Sequence, residues 1–221
     1  MLETTARPGG CIIFGSSMNM TEQVDGLWQQ RLSDFRDAVA CEPMPGCGAT
    51  AVVSADLGLA LVLKGLHLSQ QHHASGARQA LIDEGASLKN RLSPLAEEDV
   101  AAFEAFMAAV GRDESDDGRQ DAIHEAAESA VEVPLRTAQL CDAALALAHQ
   151  AGDHIEAQFV SDAVAGARLV HAALHGVLLN VSANAGQLGN DAARDRALHA
   201  RDGLAHRADA LLSTITGAAS D

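Results

Sequence analysis

The sequence predicts an all-α protein with one main domain, and three observations support this fold class. Apolar residues recur at i, i+3 and i+4 along most of the 221 residues, and no alternating strand pattern interrupts them. Apolar residues make up 48% of the chain, but aromatic residues only 3%, and Tyr is absent. Ala, Leu and Val must therefore fill the core, which favours helices that pack closely through small side chains.

Residues 1–20 show no sustained period and are interpreted as a loose leader, so the helical domain is predicted at 21–217. Its first helix is expected to begin at a Thr21 N-cap and to carry apolar residues as far as Val39. Residues 43–48, with two prolines and two glycines, then break the chain.

The later helices follow from the same period and from turn residues. Ser93-Pro94 is interpreted as an N-cap followed by proline at N1, or as a kink in one long helix. A break is expected near Pro134, and the acidic residues 111–118 form a surface loop. The remaining helices are predicted at 49–71, 76–92, 95–110, 119–132, 135–150, about 158–188 and about 191–216.

Charge and composition limit the partners of this chain. Lys and Arg number 15 and Asp and Glu 30, so the net charge of −15 would repel nucleic acid and anionic membranes. The most apolar stretch, 49–63, contains Asp56 and is shorter than the roughly 20 residues of a membrane span, which favours a buried core helix. The four cysteines form no C-x-x-C motif, so we expect free thiols and a cytoplasmic location.

The segment Pro45-Gly46-Cys47-Gly48 leads into the apolar helix. Glycine permits unusual backbone angles, and the unpaired N–H groups of a helix N-terminus can hold an anion or a carbonyl oxygen. An ordinary turn between helices is the alternative interpretation.

Asp99 is the candidate acid–base residue. It lies one helical turn before Phe103, on the partly apolar side of its helix, where a carboxylate is desolvated and tuned for proton transfer. The alternative is that Asp99 only complements the helix dipole, as acidic residues in a first turn commonly do.

Other polar residues leave two interpretations open. Asn180 and Asn184 share one helix face, and Asp162 falls in the same long apolar region, so all three either bind a polar ligand or bond neighbouring helices. His171 and His175 have the i, i+4 spacing of metal ligands. Because no H-E-x-x-H, Glu-x-x-His or C-x-x-C motif is found, no metal is predicted and both are interpreted as surface or packing residues.

Taken together, these motifs resemble the cyclodeaminase/cyclohydrolase family of folate metabolism, with a match from about Leu27 to Asp191. The family includes the C-terminal domain of formiminotransferase-cyclodeaminase and bacterial methenyltetrahydrofolate cyclohydrolases. The motifs that carry the resemblance are Phe35-x-x-Ala38, Pro43-Met44-Pro45-Gly46-Cys47-Gly48-Ala49, Asp99-x-x-x-Phe103, Ala130-Val131-Glu132-Val133-Pro134-Leu135, Ser161-Asp162 and Asn180-Val181-x-x-Asn184.

The resemblance implies a helical homodimer that binds a tetrahydrofolate derivative as its substrate, with no separate cofactor. It also implies that Asp99 is the catalytic carboxylate and that the glycine loop lines the groove. Asp162, Asn180 and Asn184 join the substrate-binding set, and we expect Asp99, Asp162 and Asn184 to meet beside residues 45–48.

The chain also departs from the family pattern. Cys47 replaces a glycine, and acidic residues replace a lysine in the loop 113–117. His72 and His73 stand where basic residues are usual and are assigned to substrate binding, while Arg78, Arg91 and Arg136 are candidate replacements for the missing cations.

The sequence therefore predicts an enzyme that hydrolyses methenyltetrahydrofolate or deaminates formiminotetrahydrofolate. The alternative is a non-catalytic helical protein that binds a folate or another small molecule.

Overall fold

The computed structural model describes residues 26–218, which fall into two units that meet in sequence at Met44 and Pro45. The described part of the first unit holds a short 3-10 turn, Leu27–Gln29, and helix α1, Leu32–Cys41. The prediction of one helix from Thr21 is wrong over this part, because Gln30 and Arg31 have extended backbone with ψ of 153° and 141°. The leader 1–20 and the Thr21 N-cap lie outside the described residues.

The second unit is built from six helices joined by short turns, and residues 26–218 contain no strand, so the all-α prediction is confirmed. The helices are α2 Cys47–His72, α3 Gly76–Leu92, α4 Leu95–Val110, α5 Arg119–Ala151, α6 Val160–Asn184 and α7 Asp191–Ala218.

Helices α2 and α6 form the centre of this unit, where they run antiparallel. Their backbones touch, because a Cβ atom on Gly58 would lie 2.6 Å from the Gly166 carbonyl oxygen, and one on Gly166 would lie 2.3 Å from the Gly58 oxygen. Helix α5 packs on α6, α3 and α4 flank α2, and α7 lies against α5 and α6.

Within residues 26–218, two segments, Cys47–His72 and Ala157–Gln187, are long and apolar enough to cross a membrane by length and composition. The most apolar part of the first is 61% buried within the protein, and that of the second 44%. Leu59 and Leu66 of α2 are fully buried, so α2 is a core helix, as predicted.

The junction between α3 and α4 differs from the predicted N-cap. Ser93 and Pro94 both have right-handed helical backbone, and Pro94 occupies the N-cap position of α4 instead of N1. The Ser93 hydroxyl lies 2.9 Å from Asp56 Oδ1 and 3.0 Å from the Lys89 carbonyl oxygen. The Ser93 side chain therefore bonds the end of α3 and Asp56 of α2, and it does not cap α4.

Helix α5 continues without a break through Pro134, so the predicted boundary there is wrong. Proline has no N–H, which leaves the carbonyl of the residue four positions earlier, Ala130, without its helical donor. The side-chain amide of Asn184 on α6 donates to that oxygen at 3.0 Å. A tertiary hydrogen bond thus replaces the missing helical one.

Candidate active site

Asp99 lies in the second turn of α4 and contacts the first turn of α2. Its Oδ2 accepts a hydrogen bond from the backbone N–H of Ala49 at 3.0 Å. The first N–H groups of a helix have no partner within the helix, and the helix dipole favours a negative charge there. The carboxylate is therefore held at the positive end of the central helix.

Gly48 provides the space for this contact. A Cβ atom at position 48 would lie 1.9 Å from Asp99 Oδ1 and 2.3 Å from its Cγ. These separations are far below van der Waals contact, so the carboxylate rests directly on the Gly48 backbone. Gly48, which the sequence assigned to the loop, lies in the first turn of α2, and the close approach of Asp99 requires glycine there.

The surroundings of Asp99 change its protonation. The residue is 9% exposed, and burial raises the pKa of its carboxyl above the ordinary value of 3.8, while the Ala49 N–H acts in the opposite direction. Among residues 26–218, no donor to Oδ1 is found. Asp99 Oδ2 is therefore held by the Ala49 N–H, and Oδ1 is available to accept a proton.

Cys47 lies at the start of the same helix. Its Sγ donates to the Gly176 carbonyl oxygen at 3.3 Å, which links the first turn of α2 to α6. Partial burial raises the pKa of the thiol, and the negative charge of Asp99 raises it further. Cys47 is therefore a neutral thiol at pH 7 and a poor nucleophile.

Asp56 is a second buried carboxylate, and the sequence treated it only as an interruption of the apolar stretch. It is 5% exposed, accepts a hydrogen bond from Ser93, and its pKa is raised by burial. The Ser93 hydroxyl and the charge of Lys89 partly oppose that shift. These contacts within α2–α4 indicate a structural role.

Asp162 does not meet Asp99. It pairs with Lys64 at 2.6 Å, and Lys64 lies about 22 Å along α2 from Ala49. Both side chains of the pair are well exposed. The expected convergence of Asp99, Asp162 and Asn184 is therefore wrong for Asp162 within one chain.

Asn184 and Asn180 lie at the end of α6 near the first turn of α2. Asn184 bonds the Ala130 carbonyl, which supports the helix-bonding interpretation for this residue. Asn180 is half-buried and lies one turn beyond Gly176, the residue that Cys47 contacts. Asn180 therefore remains the asparagine for which the ligand-binding interpretation is open.

His72 and His73 lie at the opposite end of α2, about 35 Å along the helix from Ala49. His72 Nδ1 lies 2.9 Å from Glu156 Oε2, and its ring packs against Phe159 with centroids 5.8 Å apart. Both histidines are exposed. The structure does not bring them together with Asp99 in one chain.

The structure also locates two of the candidate cations. Arg136 on α5 bonds Glu98, the neighbour of Asp99, with Nη1 2.8 Å from Oε2. Arg78 instead donates to the backbone oxygens of Ser69, His73 and His154 at the far end of α2. Arg136 is therefore the candidate that lies near Asp99. Arg78 instead connects the end of α2 to the turn at His154.

A cavity of about 760 Å³ lies at the end of the bundle away from Asp99. Leu81 of α3, His149 of α5, Ala163 of α6 and Ile215 of α7 contribute to its wall. None of the predicted site residues lines this cavity, so the cavity does not coincide with the predicted active site.

Two features of the site were missed by the sequence. The first is the contact between the Ala49 amide and Asp99. A backbone N–H leaves no mark in the sequence, and the two positions are 50 residues apart. The second is the Arg136–Glu98 ion pair. Its residues are 38 positions apart, and no sequence pattern indicates that they pair.

The chain is similar to known proteins over most of its length. The chain is 29% identical to methenyltetrahydrofolate cyclohydrolase of Methylorubrum extorquens over 195 residues, which are 84% of this chain and 94% of the relative. Formiminotetrahydrofolate cyclodeaminase of Thermotoga maritima has the same fold, with a TM-score of 0.79 at 19% identity, over 87% of this chain and 97% of that chain. The sequence profile described as formiminotransferase-cyclodeaminase matches residues 31–202. From its helix order, its glycine loop beneath Asp99 and this match, the chain belongs to the formiminotransferase-cyclodeaminase family.

Proposed function

We propose that this protein is a folate one-carbon enzyme that hydrolyses methenyltetrahydrofolate. In this reaction Asp99 is the general acid–base residue that accepts and returns the proton. The observation that supports this proposal is the buried Asp99 carboxylate, anchored through Oδ2 on the Ala49 amide with Oδ1 available over Gly48. The similarity to a methenyltetrahydrofolate cyclohydrolase over most of both chains favours hydrolysis over deamination.

The proposed reaction requires a base beside a cation. Methenyltetrahydrofolate carries a positive charge over its N–C–N bridge, and water adds to the bridging carbon. Asp99 stabilises the cation and takes the proton of the attacking water, and the same proton is then available to the nitrogen that leaves as the ring opens. As the C–N bond breaks, the hydroxyl group on the former bridging carbon loses its proton and becomes the formyl carbonyl. The net reaction consumes one water and yields formyltetrahydrofolate and one proton, which carries away the positive charge of the substrate.

The deamination reaction is a variation on the same proton transfers. In formiminotetrahydrofolate, the ring-closing nitrogen attacks the formimino carbon and ammonia leaves after it gains a proton. A carboxylate of raised pKa suits both steps, because it accepts and returns a proton near neutral pH more readily than an exposed one. The structure of the site is compatible with either substrate.

We place the substrate beside Pro45, Gly46, Cys47, Gly48 and Asn180. Arg136, on the Glu98 side of Asp99, is the cation assigned to an anionic group of the ligand. A contact from His72, His73 or Asp162 of the same chain would need a ligand that reaches more than 20 Å along α2, so we leave these residues outside the site.

We further propose that the protein is a homodimer in the cytoplasm. Leu57 of α2 and Leu169 of α6 are 52% and 41% exposed, and the Leu169 Cβ lies 3.1 Å from a Cβ built on Gly58, so the two leucines mark one apolar face. The cytoplasmic location rests on the cysteine pattern of the sequence, which has four cysteines and no C-x-x-C motif.

Light scattering tests the dimer. We expect the wild-type chain to show the mass of two protomers at micromolar concentration and Leu57→Glu to show the mass of one, because a charge on the apolar face opposes its burial. Leu32→Glu is the control, since Leu32 is also exposed but lies on α1. A wild-type monomer, or a dimer unaffected by Leu57→Glu, would contradict this proposal.

The activity itself is tested by the absorbance of methenyltetrahydrofolate. We expect purified protein to accelerate the loss of the methenyl absorbance above a buffer blank, because the compound also hydrolyses spontaneously. Release of ammonia from formiminotetrahydrofolate is measured in parallel and distinguishes a cyclodeaminase. Binding of folate without turnover of either substrate would favour the non-catalytic alternative and contradict the enzymatic proposal.

A further inference from the structure

We propose that His171, His175 and Asp209 form a surface site for one divalent transition-metal ion that joins α6 to α7. The three residues lie outside the proposed catalytic groups. The sequence alone predicted no metal, because no H-E-x-x-H, Glu-x-x-His or C-x-x-C motif was found. The third ligand comes from α7, 34 residues beyond His175.

The geometry brings three ligand atoms to one point. His171 Nε2 lies 2.8 Å and His175 Nε2 2.9 Å from Asp209 Oδ1. One ligand atom from each residue lies within 4.8 Å of the other two, and the imidazole ring centroids are 4.5 Å apart. The i, i+4 spacing on α6 places both rings on the face that meets α7.

The separations fit a metal after movements of up to about 1.4 Å, since the two imidazole nitrogens lie within 4.8 Å of each other and must approach to about 3.4 Å. Zinc binds imidazole nitrogen and carboxylate oxygen at about 2.0–2.2 Å, so ligand atoms around a tetrahedral ion lie about 3.4 Å apart. The nitrogen–oxygen distances of 2.8 and 2.9 Å must then lengthen by roughly half an ångström. The Asp209 side chain is 60% exposed and is free to make this adjustment.

The types of ligand indicate the class of metal. Imidazole suits Zn²⁺, Cu²⁺ and Ni²⁺, whereas Mg²⁺ and Ca²⁺ prefer oxygen ligands. The His171 and His175 side chains are 22% and 38% exposed, so the remaining coordination positions open to water. The net charge of −15 favours a cation at the surface.

Without a metal, the three residues are joined by two hydrogen bonds. In that arrangement both imidazoles donate their Nε2–H to the same carboxylate oxygen. Metal binding moves each of these protons to Nδ1 and replaces the two hydrogen bonds by three coordination bonds. Because the ligands come from two helices, an ion bound here stabilises the contact between α6 and α7 and therefore the folded state.

The test is a titration of metal-stripped protein without an affinity tag. We expect calorimetry with Zn²⁺ to show one ion per chain, and the melting temperature to rise by about 5–10 °C at a hundredfold excess over the Kd. Titration with Co²⁺ identifies the ligands, because thiolate ligation adds strong near-ultraviolet absorption that imidazole and carboxylate do not. This readout distinguishes the proposed site from the exposed Cys41 and Cys47 thiols.

Three variants complete the test. The double variant His171→Ala/His175→Ala should lose binding, and Asp209→Asn should weaken it by about tenfold or more. His199→Ala, an exposed histidine of α7, is the matched control and should bind as wild type. Asp209→Asn keeps the size of an exposed side chain, so it remains informative if the double variant fails to fold. No stoichiometric binding, or equal affinity in wild type and Asp209→Asn, would overturn the proposal.

Discussion

Replacement of Asp99 by asparagine is expected to lower the turnover of methenyltetrahydrofolate by about 10²–10⁴-fold, the usual contribution of a general acid–base group. Asparagine has the same shape, and its side-chain oxygen can still accept the Ala49 N–H. The variant therefore removes proton acceptance and leaves the contact in place. The absorbance assay on wild type and variant measures the loss.

The same substitution should not destabilise the fold. Burial raises the pKa of Asp99, so folding favours its protonated form. That contribution is fully present below the ordinary value of 3.8 and is lost as the pH rises through the higher folded pKa. At neutral pH the buried charge opposes folding, so a neutral amide should leave the melting temperature equal or higher.

The matched control for this prediction is Glu104→Gln, an exposed carboxylate on the same helix. It should retain wild-type turnover, and its melting temperature should change little. The pH profile gives a second readout, since wild-type activity should fall as acid protonates Asp99. Unchanged turnover in Asp99→Asn would remove this residue from the mechanism.

Gly48→Ala is expected to reduce both activity and stability. The new methyl group would lie 1.9 Å from Asp99 Oδ1, so either the carboxylate or the first turn of α2 must move. A displacement of about 1 Å in a catalytic group costs about a hundredfold in rate, and overpacking of a core costs about 1–3 kcal/mol. The rate assay and thermal unfolding measure the two effects.

Gly203→Ala separates this steric effect from the general effect of removing a glycine. Gly203 lies inside α7, and a Cβ there would meet the end of the Arg207 side chain at an ordinary 3.6 Å. Alanine favours the helix by about 1 kcal/mol, so this variant should be as stable as wild type or more stable, with full activity. A Gly48→Ala variant that behaved like Gly203→Ala would contradict the close contact with Asp99.

The helix periods and turn residues predicted most of the fold. Apolar spacing located α2, α3, α6 and α7 to within a few residues, because each helix must bury one face. The exceptions were Pro134, where local rules predict a break, and the start of α1. At Pro134 the Asn184 side chain satisfies the carbonyl that proline leaves unpaired, and no local pattern records that compensation.

The candidate site was predicted only in part, for a similar reason. The sequence identified Asp99 and the glycine loop as separate motifs, but it grouped Asp162 and the histidines 72 and 73 with them. The resemblance to the family grouped these residues by their order in the sequence. Their distances from Asp99 in the folded chain depend instead on how α2 and α6 are aligned. The antiparallel alignment places Asp162 beside Lys64 and leaves His72 at the far end of α2.

The residues alone determined an all-α fold rich in small side chains, a strongly acidic surface and a glycine loop ahead of a core helix. Helix packing decided which polar groups meet. It placed Asp99 on the Ala49 amide and brought Asp209 to His171 and His175. Helical periodicity is a local property of the backbone, but these contacts join residues 34 to 50 positions apart, so only the docking of whole helices creates them.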